Sequence, residues 1–237
     1  MGKRWVPLES NPEVINEFTQ KLGLDTSKYS FCDVFGLDPE LLAMIPQPCL
    51  ALVLLFPITE ATEAAKDKQE KELQGRDLKQ PAGLFYMKQT IGNACGTIGV
   101  LHALGNHQQQ LKFGEGSFLT TFMQDTAAMS PAERGAFLEN PPSGGPDIDS
   151  AHAEAAQGGS TATPPAEANT NLHFVCLTYS DNRLFELDGR KQTPIDHGAT
   201  SADSFLSDAA RVVQEFIAAS DSHNFNVIAL TATPGGG

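Results

Sequence analysis

Apolar and polar positions recur along this chain with different periods in different places. Val14, Ile15, Phe18 and Leu22 fall at helical spacing, which predicts a helix with one buried stripe. Asn11 supplies an N-cap, Pro12 suits the first helical position, and Gly23 can close the helix. A short helix over 38–42 is capped in the same way. Residues 49–56 are instead continuously apolar and run into Pro57. That length, bracketed by prolines, predicts a strand buried on both faces. Residues 60–80 are polar and rich in Lys, Glu and Gln, the pattern of a solvated helix with ragged ends. Residues 85–104 are small, apolar and glycine-containing, which predicts a helix buried all round. Two more helices follow over 117–129 and 130–138, the second with a capping box at Ser130 and Glu133. Residues 172–179 and 183–189 flank a turn and predict a hairpin. Phe205, Leu206, Ala209, Val212, Val213 and Phe216 mark a last helix, and 225–230 a final strand. Helices with an antiparallel component place the fold in the α/β or α+β class.

Residues 140–170 break this patterning. They hold five prolines, four glycines and almost no large apolar side chain, and no Lys or Arg occurs between Arg134 and Arg183. The composition predicts a mobile connection rather than a packed element, within a single domain spanning 1–237. The chain is long enough to bury a sizeable core without staples.

Charge narrows the function classes. A net charge of −13 is the wrong sign for a nucleic-acid binder and favours basic partners. The longest apolar run is about a third of a membrane span, and Lys3 and Arg4 have no apolar stretch behind them, so neither an anchor nor a signal peptide is expected. The four cysteines, at 32, 49, 95 and 176, form no C-x-x-C pair. Free thiols in such a chain point to a reducing compartment.

Those cysteines are the candidate chemistry. Cys49 and Cys176 lie inside apolar strands and Cys32 among apolar neighbours, where a thiol is ordinarily core. Cys95 differs, because Gly92-Asn93-Ala94-Cys95-Gly96 opens a helix with small residues on both sides. A helix N-terminus and an imidazolium would make it a nucleophile. His102 is two turns along the same helix, about 10 Å away, and too far. His107 is farther still, His152 lies in the mobile segment, and His197 and His223 read as surface loops. His173 is different: it starts a strand whose return strand leads to Asp188. A two- or four-residue hairpin loop puts the two on one face, opposite or one step diagonal. That is the orienter–base relation of a catalytic triad; the same spacing also fits a buried pair that merely braces the hairpin. Gln89, six residues before Cys95, is a neutral donor suited to an oxyanion, although most glutamines are surface residues.

The segment around Gln89-Thr90-Ile91-Gly92-Asn93-Ala94-Cys95-Gly96-Thr97 closely resembles the signature of the ubiquitin carboxyl-terminal hydrolases, small papain-like thiol peptidases. Leu172-His173-Phe174, Leu187-Asp188-Gly189-Arg190 and both ends of the chain resemble the same family, most of all its short L-type members. The resemblance implies a six-stranded, mostly antiparallel sheet between helical layers, with a knotted backbone. It implies Cys95 as nucleophile, His173 as general base and acid, Asp188 as orienter and Gln89 as oxyanion donor, with no metal or organic cofactor. It also implies that 140–170 is the crossover loop above the active site, and that ubiquitin, or its closest ubiquitin-like modifier, is the partner of a monomeric, cytoplasmic or nuclear enzyme. Glu9, Glu13 and Asp33 fall in segments that the family places near ubiquitin's arginine-bearing tail. Asp196 departs from the family, whose members often carry Asn there. Two other classes keep part of this pattern: a binding module of the same fold, which needs no catalytic set, and a papain-like hydrolase of small amides, which needs no ubiquitin.

Overall fold

A computed structural model describes residues 2–73, 83–141, 147–161, 164–168 and 170–235. The strands are β1 (Tyr29–Asp33), β2 (Cys49–Pro57), β3 (Leu172–Ser180), β4 (Arg183–Leu187), β5 (Ile195–Ala199) and β6 (Asn226–Ala232). The helices are α1 (Pro12–Leu22), α2 (Pro39–Leu42), α3 (Glu60–Leu73), α4 (Cys95–Asn106), α5 (Gln108–Leu111), α6 (Phe118–Asp125), α7 (Pro131–Glu139), α8 (Ile148–Gln157) and α9 (Phe205–Ala218). The strands form one sheet in the order β1-β6-β2-β3-β4-β5, and every described pairing is antiparallel.

Strand parity divides the core. On β2, Ala51 and Val53 face the cluster built with α1, α4, α6 and α8, while Leu52 and Leu54 face the cluster built with α9. β2 is therefore apolar on every residue because both faces are covered. Local signals terminate the helices as the sequence predicts. Asn11 caps α1 through Glu13 N, Gly23 closes it at φ 113°, and Ser130 and Glu133 form the capping box of α7. No described helix is long and apolar enough to cross a membrane.

Several sequence expectations need correction. Residues 85–93 are not helical; α4 begins only at Cys95. The segment crosses the core in an irregular conformation, and other elements satisfy its backbone. Asn106 takes both polar groups of Phe85, Lys88 N reaches Pro131 O, and Gln89 N reaches Gly189 O. An apolar run buried all round has no period that separates a helix from such a crossing. The solvated helix ends at Leu73, and the expected continuation to residue 80 lies outside the described residues. β1 and β5 are short, charge-bearing edge strands that the pattern did not reveal.

The largest correction concerns 140–170. This stretch contains α8, whose Ile148, His152, Ala155 and Ala156 are buried. Alanine is a strong helix former with almost no side-chain entropy to lose, and Asp147 caps the first turn. His152 is held rather than mobile. Its ring stacks on Trp5 at 4.2 Å, Thr97 Oγ1 and His152 Nδ1 lie 2.8 Å apart, and Nε2 donates to Val6 O. Of the expected connection, residues 142–146, 162, 163 and 169 lie outside the described residues.

Candidate active site

Three parts of the chain converge on Cys95. It is the first residue of α4, where the helix dipole favours a thiolate. Small neighbours let other elements come close. A Cβ at Gly96 would press on Leu8 and on the Phe174 ring, each at 3.3 Å, so glycine there lets the start of β3 lie close against the start of α4 without displacing them. His173 precedes that phenylalanine, and its imidazole acts on the Cys95 thiol to lower the thiol pKa. The β3–β4 turn is Asp181-Asn182, both at positive φ, the two-residue type that matches strand twist. The resulting register carries Asp188, just past β4, opposite Val175 and diagonal to His173 on the same face. Asp188 Oδ1 lies 2.8 Å from His173 Nε2, which leaves Nδ1 for the thiol.

The electrostatics follow from this line. Cys95, His173 and Asp188 are 8%, 3% and 1% exposed, so each charge needs a partner. Burial opposes a Cys95 thiolate. The hydrogen bond to His173, its positive charge, and the backbone N–H groups of Phe174 and Gly96 outweigh that effect and lower the thiol pKa. Burial likewise opposes a charged His173, but Asp188 and the thiolate raise it from 6.5 to about 9. Asp188 is also buried, and His173 and Arg190 nevertheless hold its carboxyl far below the usual range. At neutral pH His173 is thus favoured as the imidazolium, and beside it the Cys95 thiol is shifted toward thiolate, with Asp188 behind as a carboxylate. The other buried histidines behave oppositely: burial pushes His102, His107 and His152 each down to about 4. Burial likewise raises the Cys49 thiol to about 12 and pushes Cys176 and Cys32 upward.

Gln89 sits against this group through its backbone, since a Cβ on Gly189 would lie 2.9 Å from Gln89 N. Its Nε2 donates to Ile91 O at 3.1 Å, and its Oε1 is buried without a hydrogen-bond partner. An amide nitrogen carries two hydrogens, so one remains beyond the Ile91 contact.

Two supporting residues carried no signal strong enough to single out in the sequence. Tyr86 is fully buried, and its hydroxyl lies 2.7 Å from Asp188 O and 2.6 Å from Lys191 O. Arg190 N donates to Asp188 Oδ1 at 2.8 Å, and its guanidinium reaches Glu63 on α3. The Asp188-Gly189-Arg190 turn chemistry was the available clue. His197, read as a surface loop residue, lies in β5 with Nε2 3.0 Å from buried Glu186. Asp196 pairs with Arg183 and caps Gly198 N.

Glu9, Glu13 and Asp33 line one open groove together with the exposed Phe35 and Met44. Glu9 also lines the cleft that contains Cys95, along with Leu8, Thr161, Pro164 and Thr170. Its carboxylate accepts from Ser160 Oγ, Thr161 N and Thr161 Oγ1, and the Thr161 contacts hold its pKa down at about 2 despite some opposing burial.

The family described as ubiquitin carboxyl-terminal hydrolase, family 1, matches residues 5–218. Ubiquitin carboxyl-terminal hydrolase 3 of Arabidopsis thaliana is 45% identical over 231 residues, covering 97% of this chain and 95% of the relative. The isozyme L1 enzyme of Rattus norvegicus is 42% identical, covering 89% and 90%. The catalytic domain of Trichinella spiralis UCH37, solved bound to ubiquitin vinyl methyl ester, is 20% identical and superimposes with a TM-score of 0.73 over 97% of this chain and 96% of that one. The sheet order and helical layers are therefore a fold already seen in that structure, and the chain belongs to the ubiquitin carboxyl-terminal hydrolase family, the thiol peptidases whose nucleophile is a cysteine.

Proposed function

We propose that this enzyme hydrolyses bonds to the C-terminal glycine of ubiquitin, with Cys95 as nucleophile, His173 as acid and base, Asp188 as orienter and Gln89 as oxyanion donor. The observation that carries the assignment is the buried line from Cys95 through His173 to Asp188, with the thiol pKa lowered and the imidazole raised. The Cys95 thiolate attacks the glycine carbonyl, and the carbonyl oxygen becomes an oxyanion beside the second N–H of Gln89. As the tetrahedral species collapses, the C–N bond breaks and the His173 proton passes to the leaving amine. This leaves a thioester and a neutral imidazole. His173 then takes a proton from water, the hydroxide attacks the thioester, and the acid is released as the thiolate–imidazolium pair re-forms. Gln89→Ala should lower kcat by about 10²–10³-fold with little change in KM. A change confined to KM would make Gln89 a tail-binding residue instead.

Ubiquitin's tail, leucine-arginine-leucine-arginine-glycine-glycine, suits the path to the thiol. The acidic groove supplies carboxylates for two arginines, and Glu9 is common to that groove and the Cys95 cleft. Charge reversal at Glu9, Glu13 or Asp33 should weaken ubiquitin binding roughly tenfold and flatten its salt dependence. Unchanged affinity at low salt would assign the contact to other acids. The same chemistry extends to the closest ubiquitin-like modifier with a diglycine tail. The free thiols fit a cytoplasmic or nuclear setting, and we take the enzyme to act as a monomer.

The described residues that follow α8, 158–161, 164–168 and 170, supply a limit on size. Thr161, Pro164 and Thr170 share the cleft with Cys95, so this strap lies beside the path of the leaving group. A folded leaving group must pass it, whereas a short peptide or small adduct need not. The enzyme should therefore cleave a short-peptide adduct of ubiquitin far faster than a folded ubiquitin dimer, measured as the ratio of kcat/KM. Equal rates would remove the strap as a filter.

A further inference from the structure

The strap is tied down at two places by different chemistry. At one end, the half-buried Glu9 carboxylate accepts from Ser160 and Thr161. A substrate guanidinium can compete for that group, so this tie is releasable. At the other end, the tie is made to main-chain carbonyls. Asn93 Nδ2 donates to Ala166 O at 2.9 Å and to Ala168 O at 3.3 Å, and also to Trp5 O at 3.2 Å. Arg4 Nε donates to Ala166 O at 3.2 Å, while Arg4 Nη2 donates to Asn93 Oδ1 at 3.4 Å.

The backbone beneath this second tie is itself fixed. Trp5 N donates to Gly92 O and Gly92 N to Lys3 O, pairing the N-terminal arm with the turn that leads into Cys95. Asn93 stands in that turn at φ 60°, two residues before the nucleophile. The requirements on this residue are narrow. It must tolerate the left-handed region, which favours Gly, Asn and Asp, and it must present N–H groups to carbonyls. Of those three, only asparagine does both. Because the strap is held here through its backbone, the contact is indifferent to strap side chains, which accords with the alanines at 166 and 168.

We infer that Asn93, braced by Arg4, is a specificity-determining residue: its amide clasps the strap at Ala166 and Ala168 and so sets the opening beside Cys95 through which a leaving group passes. The inference rests on the reading that the strap filters leaving groups by size. Breaking the clasp lets the strap swing out without altering the thiolate, imidazole or aspartate.

Three variants test it. Asn93→Gly keeps the backbone conformation and removes the clasp. Asn93→Asp keeps the shape and sets a carboxylate against the two carbonyls. Arg4→Ala weakens the clasp from a residue outside the Cys95 turn, so an altered turn alone cannot explain all three. Each is assayed on ubiquitin carrying a C-terminal aminocoumarin and on ubiquitin fused to a folded domain, with amide exchange followed over 166–168 and along α4. We expect the fusion-to-aminocoumarin ratio of kcat/KM to rise about tenfold for both Asn93 variants, as for one to two hydrogen bonds lost from the closed strap. Arg4→Ala should give a smaller rise. The Ala168 amide, which donates to Pro165 O, should exchange faster while α4 stays protected. Faster strap exchange with an unchanged ratio would overturn the specificity role, and unchanged exchange would overturn the clasp. Equal cleavage of both substrates by the unmodified protein would instead defeat the reading of the strap as a filter, whatever the exchange arm shows of the clasp.

Discussion

Cys95→Ala should abolish hydrolysis, with a fall of about 10⁶-fold in kcat, while ubiquitin still binds. The size of the effect follows from the chemistry. No other cysteine can substitute, since Cys49 and Cys176 are buried in apolar strands with raised pKa values and Cys32 is raised as well. Replacing any of those three should leave the chemical step intact and act on stability alone, through the space left in the core. Cys95 is itself a small buried side chain at a helix start, so its removal should perturb folding little. Circular dichroism alongside single-turnover kinetics would separate the two effects. Turnover by Cys95→Ala above background would remove the nucleophile assignment.

His173→Ala should be nearly as severe, because both proton transfers are lost together with the charge that lowers the Cys95 pKa. Asp188→Asn should be milder, by no more than about 10⁴-fold, since an amide can still hold the ring but in a poorer tautomer. The pH profile carries more information than the rate. The imidazolium is favoured below about pH 9 and is lost as pH rises through that value, so kcat/KM should fall on the alkaline side near pH 9. Removing the Asp188 charge takes away a force that raises the His173 pKa, so Asp188→Asn should move that limb toward lower pH. A limb that stays in place in Asp188→Asn would mean that His173 is not the group titrating there.

What was legible in the sequence was local. The caps of α1 and α7 lie within a turn of the groups they satisfy, and the His173–Asp188 pairing needed only the parity of a hairpin. What was not legible depended on distant partners. The strand start at His173 meets the helix start at Cys95 because glycine at 96 admits the neighbouring Phe174 ring, and no spacing rule encodes that approach. Residues 85–93 matched a buried helix because an apolar segment in the core looks alike in any conformation. α8 hid behind alanines and a histidine whose partners, Trp5, Val6 and Thr97, lie more than fifty residues away. β5 hid for another reason: at the sheet edge it carries Asp196, His197 and Gly198 and needs little apolar surface.

The central claim is that one thiol, Cys95, attacks the carboxyl end of ubiquitin. Labelling with ubiquitin that bears an electrophile in place of its last glycine, followed by mass mapping of the modified peptide, tests it most directly. The account predicts a single stoichiometric adduct on Cys95, absent from Cys95→Ala and retained when Cys32, Cys49 and Cys176 are replaced. An adduct on one of those three, or no adduct on folded protein, would contradict it.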